Sequence, residues 1–115
     1  MVEAFSSEQV WLTIPEVAER LNIPLGRVHR LIEDHHLIEV RIDGVRKVPA
    51  EAIAGTEPLP SLRGTLLVLM DSGYTTQDAV TWLFTQHDSL GTTPLLALAA
   101  GRKTEIRRLA QALAF

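Results

Sequence analysis

Apolar residues recur three and four apart at Val17, Ala18 and Leu21, and again at Val28, Leu31 and Ile32, the spacing that gathers them on one face of a helix. The first stretch carries its own start signal. Thr13 can accept from an amide of the next turn, Pro15 has no amide to leave unpaired there, and Glu16 stands three residues after the cap, completing a capping box. The step Asn22-Ile23-Pro24 interrupts the pattern, because a residue before proline resists helix and proline can open a new one. The second helix is expected over residues 24–34, and two short helices joined this closely form a helix-turn-helix.

The period then changes from helical to alternating. Ile38, Val40 and Ile42 alternate with Glu39 and Arg41, and Asp43-Gly44 separates this run from "VRKV", a pairing that predicts a hairpin wing over residues 37–48. Pro49 is expected to open a short helix, "PAEAIAG", closed by Gly55. Residues 11–55 therefore read as a winged helix-turn-helix, preceded by a flexible tail at 1–10. A linker is expected at 56–60, where "AGTEPLPSLRG" collects prolines and glycines. From residue 61 to 115 the pattern is helical only. Leu62, Leu66, Leu69 and Met70 mark one helix, and Thr75 with Asp78 caps the next, whose stripe is Ala79, Val80, Leu83 and Phe84. Thr93-Pro94 and Gly101 bound a third helix, and Ile106, Leu109, Ala110 and Leu113 form the stripe of a fourth, with Lys103, Arg107 and Arg108 facing out. The fold class expected is mainly α with a small β-hairpin wing: a winged helix-turn-helix followed by a helical bundle.

Composition narrows the function. The chain has 115 residues, 46% of them hydrophobic, enough for one ordinary core or two small ones sharing an interface. It has no cysteine, which removes disulfides and thiolate zinc sites and fits a reducing compartment. The opening "MVEAFSSEQ" lacks the basic start and apolar stretch of a secretory signal, and "LLVLM" is far too short to span a bilayer. A cytoplasmic, nucleoid-associated protein with no membrane partner is expected. No cofactor, metal site or catalytic residue is expected either. The adjacent His35 and His36 read as a helix end, and no phosphate loop, nucleophile elbow or HExxH motif occurs.

The formal charge is −3, which argues against a wholesale coating of nucleic acid, yet the cations are not spread evenly. Before Pro58 there are six basic residues against ten acidic, a net of −4, but all six lie between positions 20 and 47, where four acids oppose them, a local +2. The fold would collect them on the second helix and the wing. In a reader of duplex DNA the start of that helix enters the major groove, so Gly26, Arg27, His29 and Arg30 are the candidates for base edges and phosphates, with Gly26 permitting close backbone approach. Arg41, Arg46 and Lys47 on the wing would lie along adjacent phosphates or reach the minor groove.

The stretch "TIPEVAERLNIPLGRVHRLIEDHHLIEVRIDGVRKVPAEAI" resembles the winged heads of the MerR and excisionase type, with a capped helix, a Pro-led recognition helix, a compact wing and a closing helix in that order. The whole chain, through "SLRGTLLVLMDSGYTTQDAVTWLF" and "EIRRLAQALAF", is similar to a small actinobacterial family of DNA-binding proteins that joins such a head to a helical carboxyl-terminal domain. The resemblance implies double-stranded DNA binding and transcriptional control. Unlike typical MerR regulators, the chain carries no long dimerisation helix. The alternative function is an adaptor, since "LGTTPLLAL" and the final helix also look like the toxin-binding segment of some bacterial antitoxins. In that reading residues 61–115 bind a protein partner or a second copy of the chain.

Overall fold

The computed structural model describes residues 9–113, so the first eight positions of the expected amino-terminal tail lie outside the described residues. The elements run β1 (Trp11–Thr13), α1 (Ile14–Leu21), α2 (Leu25–Glu33), β2 (Val40–Ile42), β3 (Val45–Pro49), a single 3-10 turn (Ala50–Ala52), β4 (Ile53–Ala54), β5 (Glu57–Pro58), α3 (Leu62–Asp71), α4 (Thr76–Leu83), α5 (Pro94–Ala99) and α6 (Lys103–Ala112).

The capping box at α1 forms as its residues dictate: the Thr13 amide donates to Glu16 Oε1 at 2.7 Å, and the Glu16 amide donates to Thr13 Oγ1 at 3.3 Å. Asn22 ends the helix in the left-handed region at φ 59°, and the Ile23 amide reaches back to the Ala18 carbonyl at 3.0 Å. Pro24 is extended and caps α2 from outside rather than forming its first turn, so the helix starts one residue later than expected. At the other end His35, at φ 66°, closes α2. Its amide donates to Ile32 and that of His36 to Leu31, which satisfies carbonyls the helix would leave open.

In the wing, Asp43 and Gly44 both take positive φ, 55° and 80°, the geometry of a tight two-residue hairpin. The three-stranded antiparallel sheet has the order β1-β3-β2, with Trp11 opposite Pro49 and Arg41 opposite Arg46. Strand β1 was not signalled by the sequence, and it makes β3 the central strand. The helix expected from Pro49 is a correction. It is one 3-10 turn, after which Ile53–Ala54 and Glu57–Pro58 pair as a miniature hairpin across Gly55 and Thr56, with Gly55 at φ 69°. The Leu59 amide then donates to the Ala52 carbonyl at 2.8 Å, and Leu59 is buried.

The bundle follows the expected stripes. Leu62, Leu66, Leu69, Ala79, Leu83, Ile106 and Ala110 are fully buried, while Leu31, Ile32 and Leu109 lie at the edge of the core. Leu113 departs from its expected place: it is 39% exposed, past the last residue of α6. The core continues from Leu12 in the head through Leu59 to Ala110 in the bundle. Three features join the halves. The Trp11 and Phe84 rings sit 5.6 Å apart, Arg63 Nε donates to the Asp34 carbonyl at 2.9 Å, and α5 packs on the 3-10 turn. No helix among the described residues is long and apolar enough to cross a membrane.

Candidate nucleic-acid interface

Helix α2 buries Val28 completely and turns Gly26, Arg27 and Arg30 outward, with His29 half-buried between helix and wing. Nothing among the described residues crowds Gly26: a Cβ there would meet none of their atoms within 4 Å. Glycine inside a helix costs roughly 1 kcal/mol relative to alanine, so internal packing gives no reason for its presence.

The wing meets the helix through Arg46. Its Nη1 lies 3.2 Å from His29 Nδ1. A guanidinium only donates, so this is a hydrogen bond when Nδ1 is bare and the ring proton sits on Nε2. In that tautomer the wing holds the imidazole so that a donor, rather than an acceptor, is left for whatever lies beyond it. Arg46 Nε also stands 3.4 Å from Glu39 Oε1, an oxygen that is buried without a hydrogen bond among the described residues. Across the ladder, Arg41 is paired with Arg46, and directly opposed residues in an antiparallel pair share a face. Like charges so placed repel, and Glu39 offsets only one of the two.

Lys47 stands apart from this group. Its register partners are Val40 and Thr13, so it occupies the other face of the sheet, where its charge helps to hold the Glu16 carboxyl below the usual carboxylate range. The larger causes of that shift are the hydrogen bonds from the Thr13 amide and hydroxyl. The structure thus brings His29, Arg41 and Arg46 together beside the exposed Arg27 and Arg30, and sets Lys47 behind them. Nothing in the sequence signalled the pairing of His29 with Arg46. It follows from the hairpin register, which places Arg46 and the buried Val48 on the face that meets α2.

A capped helix, a short turn, a second helix with outward arginines and a three-stranded wing define a winged helix-turn-helix protein. Comparison with known proteins gives the particular family. Residues 3–53 match the profile described as "DNA-binding protein Rv2175c, wHTH domain", and residues 59–114 match "Rv2175c C-terminal domain of unknown function". The chain is 33% identical to the DNA-binding protein Rv2175c of Mycobacterium tuberculosis, over 89% of this chain and 79% of that protein. The NMR structure of Rv2175c superposes with a TM-score of 0.85 at 30% identity, covering 96% of this chain and 85% of that one. An excisionase of Streptomyces ambofaciens is 43% identical over 42 residues, 36% of this chain and 68% of its own length. The chain belongs to the Rv2175c family of winged helix-turn-helix DNA-binding proteins.

Proposed function

We propose that the protein binds double-stranded DNA in a sequence-directed way and regulates transcription, acting without catalysis in the cytoplasm at the nucleoid. Helix α2 enters the major groove, where Arg27 and Arg30 meet base edges or phosphates. The wing follows the backbone or the minor groove with Arg41 and Arg46, and Lys47 adds a phosphate contact from the sheet's other face. The observation that carries this reading is the juxtaposition of Arg41 with Arg46 beside α2. Two guanidiniums on one face, with the Glu39 carboxylate against Arg46 alone, suit a polyanion.

The reading of the bundle as a protein-docking adaptor draws less support. Such a surface would need a broad apolar patch. Among the described residues, Leu96 and Leu113 are the large apolar side chains of the bundle that stand exposed.

Fluorescence anisotropy on labelled duplexes tests the proposal. Arg27→Ala with Arg30→Ala should lower affinity for a preferred sequence by about 1–3 kcal/mol per residue and erase the preference. Arg41→Ala with Arg46→Ala should weaken binding to all sequences alike and flatten its salt dependence. Unchanged binding in both variants overturns the proposal.

A further inference from the structure

Between the start of α3 and the exposed side of α6 lies an open cleft of about 430 Å³, lined by Ser61, Lys103, Thr104, Arg107, Arg108 and Gln111. We propose that this cleft is a second contact for the phosphates of duplex DNA, so that the protein grips its DNA with the bundle as well as the head. The inference rests on the DNA-binding reading above and extends it to the half of the chain with no assigned role.

The cleft is built from cations that the fold does not neutralise. Four of the five basic residues after Pro58 fall between positions 102 and 108, against one acid, Glu105. That acid is taken: Arg102 Nε donates to Glu105 Oε1 at 2.7 Å, and Nη2 to Oε2 at 3.1 Å. Lys103, Arg107 and Arg108 have no carboxylate partner among the described residues, and no carboxylate lines the cleft.

Their positions work against the helix that carries them. Lys103 occupies the first turn of α6, at the positive end of the helix dipole, where a cation is unfavourable. Lys103 and Arg107 are four apart, a like-charge pair that lowers helix stability further. Arg107 also lies across α3 at Gly64, where an added Cβ would come within 3.2 Å of its Nη2. The missing side chain leaves room for the guanidinium against α3. Local stability gives no reason for this arrangement, and an anion in the cleft relieves both of its electrostatic costs.

Two observations favour duplex DNA as the source of that anion. Ser61 of the cleft is two residues before Arg63, whose Nε holds the carbonyl of Asp34 at the end of the recognition helix, so the cleft is tied to α2. The whole chain carries −3, so a concentration of positive charge at a second place is selective rather than general. The lining is polar, with two hydroxyls and an amide beside the cations, as suits phosphate oxygens.

The test measures anisotropy of the full chain on a fluorescein-labelled duplex of about 30 base pairs, long enough to pass both surfaces, across a salt series. The slope of log K against log salt reports the phosphates neutralised, at about −0.9 for each. Lys103→Ala with Arg107→Ala and Arg108→Ala should reduce the slope by about 2–3 while the sequence preference set by Arg27 and Arg30 persists. The charge-keeping variant Arg107→Lys with Arg108→Lys should retain the wild-type slope. A triple variant with the slope of the wild type overturns the proposal, as does a loss that the lysine variant reproduces, since that would be structural. If the wild type binds and Arg27→Ala with Arg30→Ala abolishes its preference while the cleft variant changes nothing, the head reading stands and only the second contact falls. No binding by the wild type removes both.

Discussion

Thr13 and Glu16 open α1 in the head with the same device that Thr75 and Asp78 use to open α4 in the bundle, yet the two halves differ in what they do with the helices so started. In the bundle, α3 to α6 all bury apolar side chains, and α3 alone sinks Leu62, Leu66 and Leu69 out of contact with water. In the head, α2 buries one side chain fully, Val28, and leaves Gly26, Arg27 and Arg30 exposed. Burial of a leucine contributes on the order of 1.5–3 kcal/mol, whereas an exposed arginine contributes little to folding. The head's surface chemistry therefore rests on its own core of Val17, Val28, Leu37 and Val48, which continues into the leucines of the bundle.

That comparison breaks first, and by the largest amount, at Leu66. Replacing it by alanine should cost about 2–5 kcal/mol, because a fully buried leucine loses both its transfer free energy and the packing around it. Trp82 lies within the bundle, whereas Trp11 stands on β1 of the head against the bundle's Phe84, so versions with either tryptophan replaced by phenylalanine report the bundle and the head's edge in turn in a urea melt. One continuous core predicts coincident transitions in both. A head that melts later than the bundle would mean that the contacts through Phe84 and Arg63 do not couple the halves.

The two capping boxes sharpen the comparison at about 1 kcal/mol each. The forward bond is shorter in the bundle, where the Asp78 amide reaches Thr75 Oγ1 at 3.0 Å against 3.3 Å for Glu16 and Thr13. The return bond is shorter in the head, 2.7 Å from the Thr13 amide to Glu16 against 3.4 Å from the Thr75 amide to Asp78, because glutamate has the extra methylene needed to reach back. Thr75→Ala should therefore cost at least as much as Thr13→Ala, while Glu16→Ala should cost more than Asp78→Ala. Thermal melts of the four variants decide it, and the reverse order would mean that side-chain reach does not set the strength of these caps.

Gly26 separates stability from function within the head. Alanine fits there without a clash, so Gly26→Ala should stabilise the protein by up to about 1 kcal/mol while weakening DNA binding. A variant both more stable and equally tight would remove close backbone approach at Gly26 from the proposed interface.

How much of this was legible in the sequence depended on how local the cause was. The capped starts of α1 and α4, the Asp43-Gly44 turn and the Thr93-Pro94 start each rest on residues within one turn of one another, and these formed as read. Strand β1 was missed because three residues carry no period and their partners in β3 lie more than thirty positions away. The segment around Gly55 looked like a linker for a related reason. Proline and glycine mark a break in helix, but they do not reveal that Ile53–Ala54 can pair with Glu57–Pro58 over two residues. Leu113 fitted the helical stripe by number, yet α6 ends at Ala112 and leaves it outside. For the interface, the identity of the arginines was readable. Their grouping was not, since it depends on a register that sends Arg46 to His29 and Lys47 to the opposite face.

The smallest effect again compares the halves, this time through acid. Among the described residues each half holds one carboxyl below its ordinary value of 4.5: Glu16 in the head, through the Thr13 amide first and its hydroxyl second, and Glu105 in the bundle, through its hydrogen bond with Arg102. A carboxyl whose folded value is depressed contributes stability that is fully present above the unfolded value and is lost as pH falls through the folded one. Stability should therefore decline below the ordinary 4.5 in the wild type, and less so in Glu16→Gln or Glu105→Gln. Salt distinguishes the two. The bond to Glu105 comes from an exposed ion, which a Debye length of about 3 Å at 1 M salt screens, whereas the bond to Glu16 comes chiefly from an uncharged backbone amide beside it. In thermal melts at low pH, the difference between wild type and Glu105→Gln should shrink in high salt while that of Glu16→Gln persists. If both fade together, Glu16 is held mainly by the charges of Lys47 and Arg20, and the sheet face behind the arginines acts on α1 through its field rather than through the cap.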